Sequence, residues 1–202
     1  ANGQCCCANK RIIVQKSILD DFTHKLITKL KGYTLGNPMN PGTKIGPLIN
    51  EKAANTVKKQ IEHTVGQGAQ LLYGGERIDN CFLTPTILGN VSKEADVARD
   101  LEIFGPVLPI ITFGDDNEAV EIANNSIYGL SGSVFTKDIG RAMNTAYKME
   151  TGQVAINGTG LYRPDAAQFG GYKQSGLGRE GLSVTLEEMT QVKNIAIRNA
   201  LY

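Results

Sequence analysis

The chain has 202 residues, of which 41% are hydrophobic and 20% charged, and its formal net charge is +1. The composition is typical of a globular protein with a hydrophobic core. The small net charge gives no indication of nucleic-acid binding. No apolar run is long enough to span a membrane, so we expect no membrane partner. Of the four cysteines, three are consecutive, which is typical of reduced thiols, so we expect a cytoplasmic location.

The first half of the chain alternates between strand and helix patterns. Residues 11–15 are few and β-branched, which predicts a buried strand. Ser17 then opens a helix, with Asp20 as the acidic partner of a capping box, and Gly32 ends it. Residues 33–49 contain repeated Gly and Pro, which predicts a loop. We predict a helix over 50–67, a strand over 69–73 and an extended segment over 82–88. Pro85, in the extended segment over 82–88, favours an edge strand or a bulge there.

The second half of the chain continues the same alternation of strand and helix patterns. We predict strands over 107–113, 130–136 and 154–157, helices over 115–125, 138–150 and 180–188, a Gly-rich loop over 158–181 and a terminal strand over 191–198. Strands that alternate with helices indicate an α/β fold with a mainly parallel open sheet and flanking helices.

The most informative segment is the start of the chain, where Asn2-Gly3-Gln4 precedes Cys5, Cys6 and Cys7. Adjacent Cα atoms lie about 3.8 Å apart, below the roughly 4.4–6.8 Å of disulfides, so this is not a disulfide framework. A small residue and an amide before a thiol favour a tight loop that presents a nucleophile, for which Cys6 is the candidate. The alternative is a buried structural cysteine cluster, and spacing alone leaves both open.

The cysteines and histidines of the chain do not indicate a metal centre. Three neighbouring thiolates are poor geometry for tetrahedral zinc, and no histidine or distant Cys-x-x-Cys completes a ligand set, so we expect no metal. Cys81 stands alone, and we interpret it as structural. His24 and His63 lie in predicted helices rich in polar residues, which favours a solvated position for both.

Two further motifs are only weak indications of cofactor binding when each is taken alone. Residues 176–181 match the letters of a dinucleotide fingerprint, but no strand pattern precedes them and too few residues follow for a βαβ unit, so we interpret them as a turn. Glu102-Ile-Phe104 stands just before a predicted buried strand. An acid beside an aromatic residue there can bind a sugar hydroxyl and contact a ring, whereas the alternative is a surface Glu beside a core Phe.

Taken together, the motifs resemble those of the NAD(P)-dependent aldehyde dehydrogenase superfamily. Gly3-Gln4-Cys5-Cys6 is similar to the family's cysteine signature, in which the reactive thiol stands two places after the Gln. Residues 102–107 are similar to its cofactor-facing motif. Its C-terminal signature is matched by Asn157-Gly158, residues 169–176 and residues 178–180. The order and spacing agree over essentially the whole chain.

The resemblance implies a reaction and a set of roles. Cys6 would attack a small-molecule aldehyde to form a thiohemiacetal, a hydride would pass to NAD or NADP, and water would hydrolyse the resulting acyl thioester. Glu102 would hold the nicotinamide ribose and Phe104 would lie near the cofactor. Cys5 and Cys7 would flank the nucleophile in the substrate tunnel.

The resemblance also implies roles for two residues on the side of the substrate tunnel that is opposite the cysteines. Phe169 would form the opposite wall, and Arg163 lies in the loop that shapes the entrance. An arginine there can pair with a substrate carboxylate, as in semialdehyde acids. The alternative for Arg163 is a solvent-facing position in the loop.

The expected organisation follows from the same resemblance. Residues 1–187 would be the catalytic domain and residues 188–202 a C-terminal oligomerisation strand, so we expect a homo-oligomer. The family's nucleotide-binding domain, its Glu-Leu-Gly-Gly general base and its oxyanion-binding Asn have no counterpart in this sequence. We therefore expect that the chain turns over no aldehyde alone and needs a nucleotide-binding domain as partner. The alternatives are a non-enzymatic scaffold or a weak thiol esterase.

Overall fold

The structure is a computed structural model that describes residues 2–198. Its helices are α1 (Leu19–Lys31), α2 (Glu51–Gly66), α3 (Asp116–Asn124), α4 (Ile139–Lys148) and α5 (Leu182–Glu188). Its strands are β1 (Ile12–Gln15), β2 (Gln70–Tyr73), β3 (Thr86–Gly89), β4 (Val107–Phe113), β5 (Tyr128–Gly129), β6 (Ser131–Val134), β7 (Gln153–Ile156) and β8 (Tyr172–Lys173). Within this range, no helix combines the length and the hydropathy that crossing a membrane requires.

Four strands form a mixed, mostly parallel sheet in the order β1-β4-β3-β2. β1 and β3 both run parallel to the central β4, with Ile12 opposite Ile110 and Thr86 opposite Val107. β2 pairs antiparallel with β3 at one edge. Two small sheets join β5 to β8 and β6 to β7. The predicted α/β class, with a mainly parallel sheet and flanking helices, is confirmed.

The core lies on both faces of this sheet. Ile87 in β3 is fully buried and packs with Val14 on the face that α1 covers through Leu26. Its neighbour Leu88 lies in the opposite cluster, with Ile61 of α2. Successive side chains of a strand point to opposite faces, so each apolar residue of β3 serves a different layer. The sheet is thereby held between α1 and α2.

Side chains cap three of the helices; the cap that the sequence predicts at Asp138 is confirmed, and the one that it predicts at Ser17 is not. Asn50, Asp115 and Asp138 each accept a hydrogen bond from a backbone N–H in the first turn of α2, α3 and α4. The predicted capping box at Ser17 is wrong, because Ser17 lies in a 3₁₀ turn. α1 begins after Ile18, which contributes no side-chain cap. Gly32 does end α1, as predicted.

The strand observed in the region 82–88 is shorter than the predicted extended segment, and it lies in the interior of the sheet, not at its edge. The strand covers Thr86–Gly89 only, and it is an interior strand between β4 and β2 rather than an edge. Pro85 stands one residue before the strand, so it removes no donor from the ladder. The irregularity in this region falls in the pairing of β3 with β2, between Leu71 and Tyr73.

The predicted terminal strand is absent from the described part of the chain. Residues 191–198 form no strand, and all of them are exposed. Val192, Ile195 and Ile197 are the apolar side chains of this segment, and each is exposed. A segment with an alternating apolar pattern forms a strand only when a neighbouring strand pairs with it, and no strand in the described part of this chain does so. Residues 199–202 of the predicted oligomerisation segment lie outside the described residues.

Truncation of a buried side chain in β3 tests this description of the core. We expect Ile87→Ala to lower the free energy of unfolding by about 2–5 kcal/mol, because the removed atoms leave a cavity between β3 and α1. Urea denaturation followed by circular dichroism measures the change. Ile78→Ala is the matched control, since that side chain is 61% exposed. Equal unfolding midpoints for the two variants would contradict the placement of Ile87.

Candidate active site

The thiol loop, which we define as residues 2–8, lies directly against the segment that contains Glu102. Gly3 has a φ of +75°, and a Cβ at this position would lie 2.1 Å from the carbonyl oxygen of Gly105. No side chain fits in that space, so glycine alone allows the two backbones to approach this closely. Two motifs whose contacting glycines are 102 residues apart in the sequence are therefore in contact.

Amide side chains hold the thiol loop from its other side. The Asn2 side chain donates to the carbonyl of Gly46 at 2.6 Å. The Gln4 side-chain oxygen accepts from the backbone N–H of Ile49 at 2.9 Å, and its amide nitrogen lies 3.4 Å from the carbonyl of Pro47. The small residue and the amide before the thiols thus have a structural purpose: they fix a tight turn against the 46–49 segment.

Lys10 links the thiol loop to the 102–104 segment. Its ammonium group donates to the carbonyl of Gly3 at 2.5 Å and to that of Ile103 at 3.2 Å. It also lies 3.9 Å from the centre of the Phe104 ring and 4.0 Å from a carboxylate oxygen of Glu102. Burial lowers the pKa of Lys10, and the charges of Glu102 and the nearby thiols oppose that effect.

The three thiols differ in exposure and in acidity. Cys6 is exposed, whereas Cys5 and Cys7 are partly buried. The backbone N–H of Cys7 donates to the Cys5 sulfur and, as the largest cause, lowers the pKa of Cys5. Burial, and then the neighbouring sulfur of Cys6, raises the pKa of Cys7 to about 12. The alternative of a buried structural cluster does not fit Cys6.

Cys6 and Glu102 line the same cavity, which has a volume of about 720 Å³. β1 bounds it on one side and β6 on another, and Phe22 and Phe113 add apolar wall. The cavity is wide enough for a small organic molecule beside an exposed sulfur. Among the described residues, its lining does not include Cys5, Cys7, Arg163, Phe169 or Phe104.

Phe104 instead faces a second, shallower depression. This depression measures about 310 Å³ and is lined by Glu102, Phe104 and residues of α2 that include Gln60. The Phe104 ring is 41% exposed, so it is not a core residue as the alternative interpretation would have it. Glu102 is common to both cavities, and it therefore stands between the thiol and the exposed aromatic ring.

Arg163 and Phe169 contact each other. The guanidinium carbon of Arg163 lies 4.8 Å from the centre of the Phe169 ring, a cation–π distance. The loop that carries them passes beside the thiols, since a Cβ at Gly160 would lie 3.0 Å from the carbonyl oxygen of Cys7. Arg163 is exposed. The structure therefore brings the start of this loop beside the thiols and places neither the Arg163 nor the Phe169 side chain in the cavity.

The glycine-rich segment over 176–181 is a turn, as predicted. It is not preceded by a long strand, since β8 contributes two residues only. The backbone N–H and C=O of Phe169 pair with those of Glu180, which closes the loop. The helix that follows, α5, has 7 residues. The segment thus lacks the strand–turn–helix context of a dinucleotide fingerprint.

Two basic residues of the site had no signal in the sequence. Lys10 is one, because a lysine after a cysteine loop is ordinarily read as a surface residue. The other is Arg11, whose guanidinium donates to the carbonyls of Ala98, Ile122 and Ala123 at 2.8–3.0 Å. Arg11 thereby fastens the start of β1 to the end of α3. Both roles depend on carbonyl groups that are far away in the sequence, Ile103 for Lys10 and Ala98, Ile122 and Ala123 for Arg11.

Comparison with known proteins places this chain in a family. The model of the aldehyde dehydrogenase family matches residues 1–195, and the chain belongs to that family. The lactaldehyde dehydrogenase of Methanococcus vannielii is 41% identical over 198 residues, which are 98% of this chain and 42% of that protein. The chain therefore spans about two fifths of the length of this relative.

Solved structures show the same architecture. The glyceraldehyde-3-phosphate dehydrogenase GapN of Methanocaldococcus jannaschii, complexed with NADP, superposes with a TM-score of 0.90 at 40% identity and covers 95% of this chain and 41% of its own. Aldehyde dehydrogenase 21 of Physcomitrella patens, in complex with the reaction product succinate, gives 0.91 at 35% identity, with 98% and 41% covered. The fold class and the oxidoreductase family are thus established.

Removal of the Lys10 ammonium group tests its electrostatic effect on the thiol loop. We expect Lys10→Met to slow alkylation of Cys5 by iodoacetamide at neutral pH by about 2-fold, because less thiolate forms when the pKa of Cys5 rises and the backbone N–H of Cys7 remains the larger cause of its low pKa. The curve of rate against pH should move to higher pH. Peptide mass spectrometry gives the rate at each cysteine.

Lys25→Met is the control for this experiment, since Lys25 pairs with Asp21 on the exposed face of α1. The proposed electrostatic contact is excluded if both variants have the pH profile of the unchanged protein.

Proposed function

We propose that this chain is the catalytic, thiol-bearing part of an NAD(P)-dependent aldehyde dehydrogenase and that Cys6 is its nucleophile. The observation that carries the proposal is that the exposed Cys6 thiol and the Glu102 carboxylate line one cavity. The contact of Gly3 with Gly105 and the hydrogen bonds of Lys10 hold the two segments together. Family membership supplies the reaction class.

Cys6 has the exposure that covalent catalysis needs. As a thiolate it would add to the aldehyde carbon, forming a C–S bond and leaving the carbonyl oxygen as a hydroxyl or oxyanion. Loss of the C–H hydrogen as hydride would leave an acyl thioester on the same sulfur. Water would then hydrolyse that ester, releasing a carboxylate and restoring Cys6. The cavity beside the thiol gives the aldehyde a place to bind.

Glu102 and Phe104 suit a nicotinamide cofactor, NAD or NADP. A carboxylate accepts hydrogen bonds from ribose hydroxyls, and an exposed aromatic ring offers a flat apolar contact. Both side chains face the depression along α2, and Glu102 also faces the thiol cavity. The cofactor, when bound, supplies the hydride acceptor. The two residues would orient it toward Cys6.

We propose that residues 1–187 act as a catalytic domain completed by a nucleotide-binding domain. The share of the relatives that the chain spans is consistent with this division. β1 and β6, which flank the thiol cavity, each pair along one edge only in the described structure. Open strand edges are normally covered by further chain. The general base and the side-chain oxyanion donor would come from that further part.

Residues 188–202 are proposed to mediate self-association into a homo-oligomer. In the described part of this segment, Met189, Val192, Ile195 and Ile197 are apolar and exposed. Exposed apolar side chains in such a group usually mark an interaction surface. A strand would form there only when a second chain or another element supplies the pairing edge.

For the substrate, we propose a small aldehyde that can carry a carboxylate. Arg163 is exposed in the loop beside the thiols, and its contact with Phe169 leaves its N–H groups available to an incoming anion. A charge-assisted bond of this kind contributes about 1.5–3 kcal/mol. The moss relative was solved with succinate, a dicarboxylate reaction product. A semialdehyde acid is therefore the first class to test.

Selective alkylation separates the enzymatic proposal from a scaffold role. We expect substoichiometric iodoacetamide to modify Cys6 before Cys5, Cys7 and Cys81, because Cys6 alone among these thiols is exposed. Peptide mass spectrometry over time gives the order. Slow and equal modification of all four thiols would favour a folded scaffold. Hydrolysis of a nitrophenyl ester that is lost in Cys6→Ser would show the esterase activity.

A turnover assay tests the proposed division of the enzyme. The 202-residue chain, mixed with NAD or NADP and a panel of aldehydes, should produce no reduced cofactor, because the nucleotide-binding domain is needed. Absorbance of the reduced nicotinamide is the readout. Turnover by the pure chain would show that the proposed division is wrong.

Glu102→Gln tests the cofactor contact in the enzyme that carries this chain together with its nucleotide-binding domain. We expect kcat/KM for the cofactor to fall roughly 10–100-fold, since a charge-assisted bond of about 1.5–3 kcal/mol is weakened. Glu76→Gln serves as the control, because Glu76 contacts Thr84 on the β2–β3 side, away from both cavities. An unchanged kcat/KM in the Glu102 variant would remove this residue from the cofactor site.

A further inference from the structure

We infer that the thiols of Cys5, Cys6 and Cys7 together form a binding site for a soft divalent cation, with Zn²⁺ as the probe. Their three sulfur atoms all lie within 4.8 Å of one another. The sequence predicts no such site, because three neighbouring thiolates are poor geometry for tetrahedral zinc and no histidine completes a ligand set. The tight turn of the thiol loop instead gathers the sulfurs. This site does not depend on the proposed dehydrogenase reaction.

The spacing of the sulfurs is close to that of a metal-bound set. With Zn–S bonds of about 2.3 Å, two sulfurs on a tetrahedral ion lie about 3.8 Å apart. The sulfurs of Cys6 and Cys7 are already 3.7 Å apart. The widest pair would need to close by about 1 Å, which small side-chain rotations supply. No change in the backbone of the loop is required.

The charges around the sulfurs favour a cation as well. Three thiolates and one divalent cation carry a net charge of minus one, and the ammonium of Lys10, which interacts electrostatically with Cys5 and Cys6, offsets it. On binding, three S–Zn bonds form and the thiol protons pass to solvent, with no change of oxidation state. Because metal binding displaces thiol protons, affinity should increase with pH.

The site would be open rather than closed. Within the described residues, no histidine or carboxylate joins the three sulfurs, so a water molecule would take the fourth position. Cys6 is exposed and provides the route from solvent. An ion held there uses the lone pairs of the Cys6 sulfur. Cation binding and covalent attack by Cys6 are therefore mutually exclusive, which would make the ion a reversible block on the nucleophile.

A zinc titration of the reduced, tag-free chain tests this inference. In competition with a chromophoric chelator, we expect one high-affinity ion per chain. In the unchanged protein, bound Zn²⁺ should protect all three thiols of the loop from iodoacetamide, while Cys81 is labelled at its usual rate. Removal of the ion with EDTA should restore labelling. This mapping by mass spectrometry needs no variant.

Single substitutions then assign the ligands. Cys5→Ser, Cys6→Ser and Cys7→Ser should each weaken binding by more than the roughly 10–100-fold loss that is typical when a residue hydrogen-bonded to a metal ligand is replaced. Cys81→Ser is the matched control and should bind Zn²⁺ like the unchanged protein. Circular dichroism checks that each variant is folded.

Three results would overturn the inference. The first is zinc binding that survives replacement of all three cysteines of the loop, which would place the ion elsewhere. The second is full affinity in any one of the single Ser variants, which would reduce the site to two thiols. The third is unprotected labelling of the loop at saturating Zn²⁺.

Discussion

The geometry of the site depends on the interactions of the half-buried Lys10 ammonium group. It donates to a carbonyl of the thiol loop and to a carbonyl of the 102–104 segment, and it lies over the Phe104 ring. The contact of Gly3 with Gly105 holds the same two segments at backbone distance. The distance between the Cys6 sulfur and the carboxylate of Glu102 is therefore set by one cation and by one position without a side chain.

The thiol loop gives three chemically identical groups different properties. A backbone N–H favours the thiolate of Cys5, whereas burial keeps Cys7 protonated. Cys6, between them, is the thiol that faces the cavity. The same turn that exposes one sulfur also gathers all three. The proposed nucleophile and the proposed cation site thus follow from a single backbone conformation, and they compete for one sulfur.

Local patterns predicted most of the fold. The strand over 107–113 was predictable because its residues are mostly apolar, and the helix that begins after Asp138 was predictable because a capping side chain precedes it. Ser17 failed as a cap because the chain first makes a 3₁₀ turn. The tail over 191–198 failed as a strand because its pattern does not say which edge it would pair with.

The site was predictable in its parts but not in its arrangement. The cysteine, Glu102 and C-terminal motifs could be recognised from their order and spacing, and the family assignment agrees with them. The role of Lys10 could not, since its carbonyl partners include one 93 residues away. Nor could the contact of Arg163 with Phe169, which forms only when the loop over 158–181 folds back on itself.

The most direct test of the central claim is to trap the acyl group on its sulfur. The enzyme that carries this chain with its nucleotide-binding domain would be mixed with cofactor and saturating aldehyde, quenched in acid during turnover and digested for mass spectrometry. The account predicts an acyl thioester on Cys6 and none on Cys5 or Cys7. An acyl group on another residue, or turnover that persists in Cys6→Ser, would contradict it.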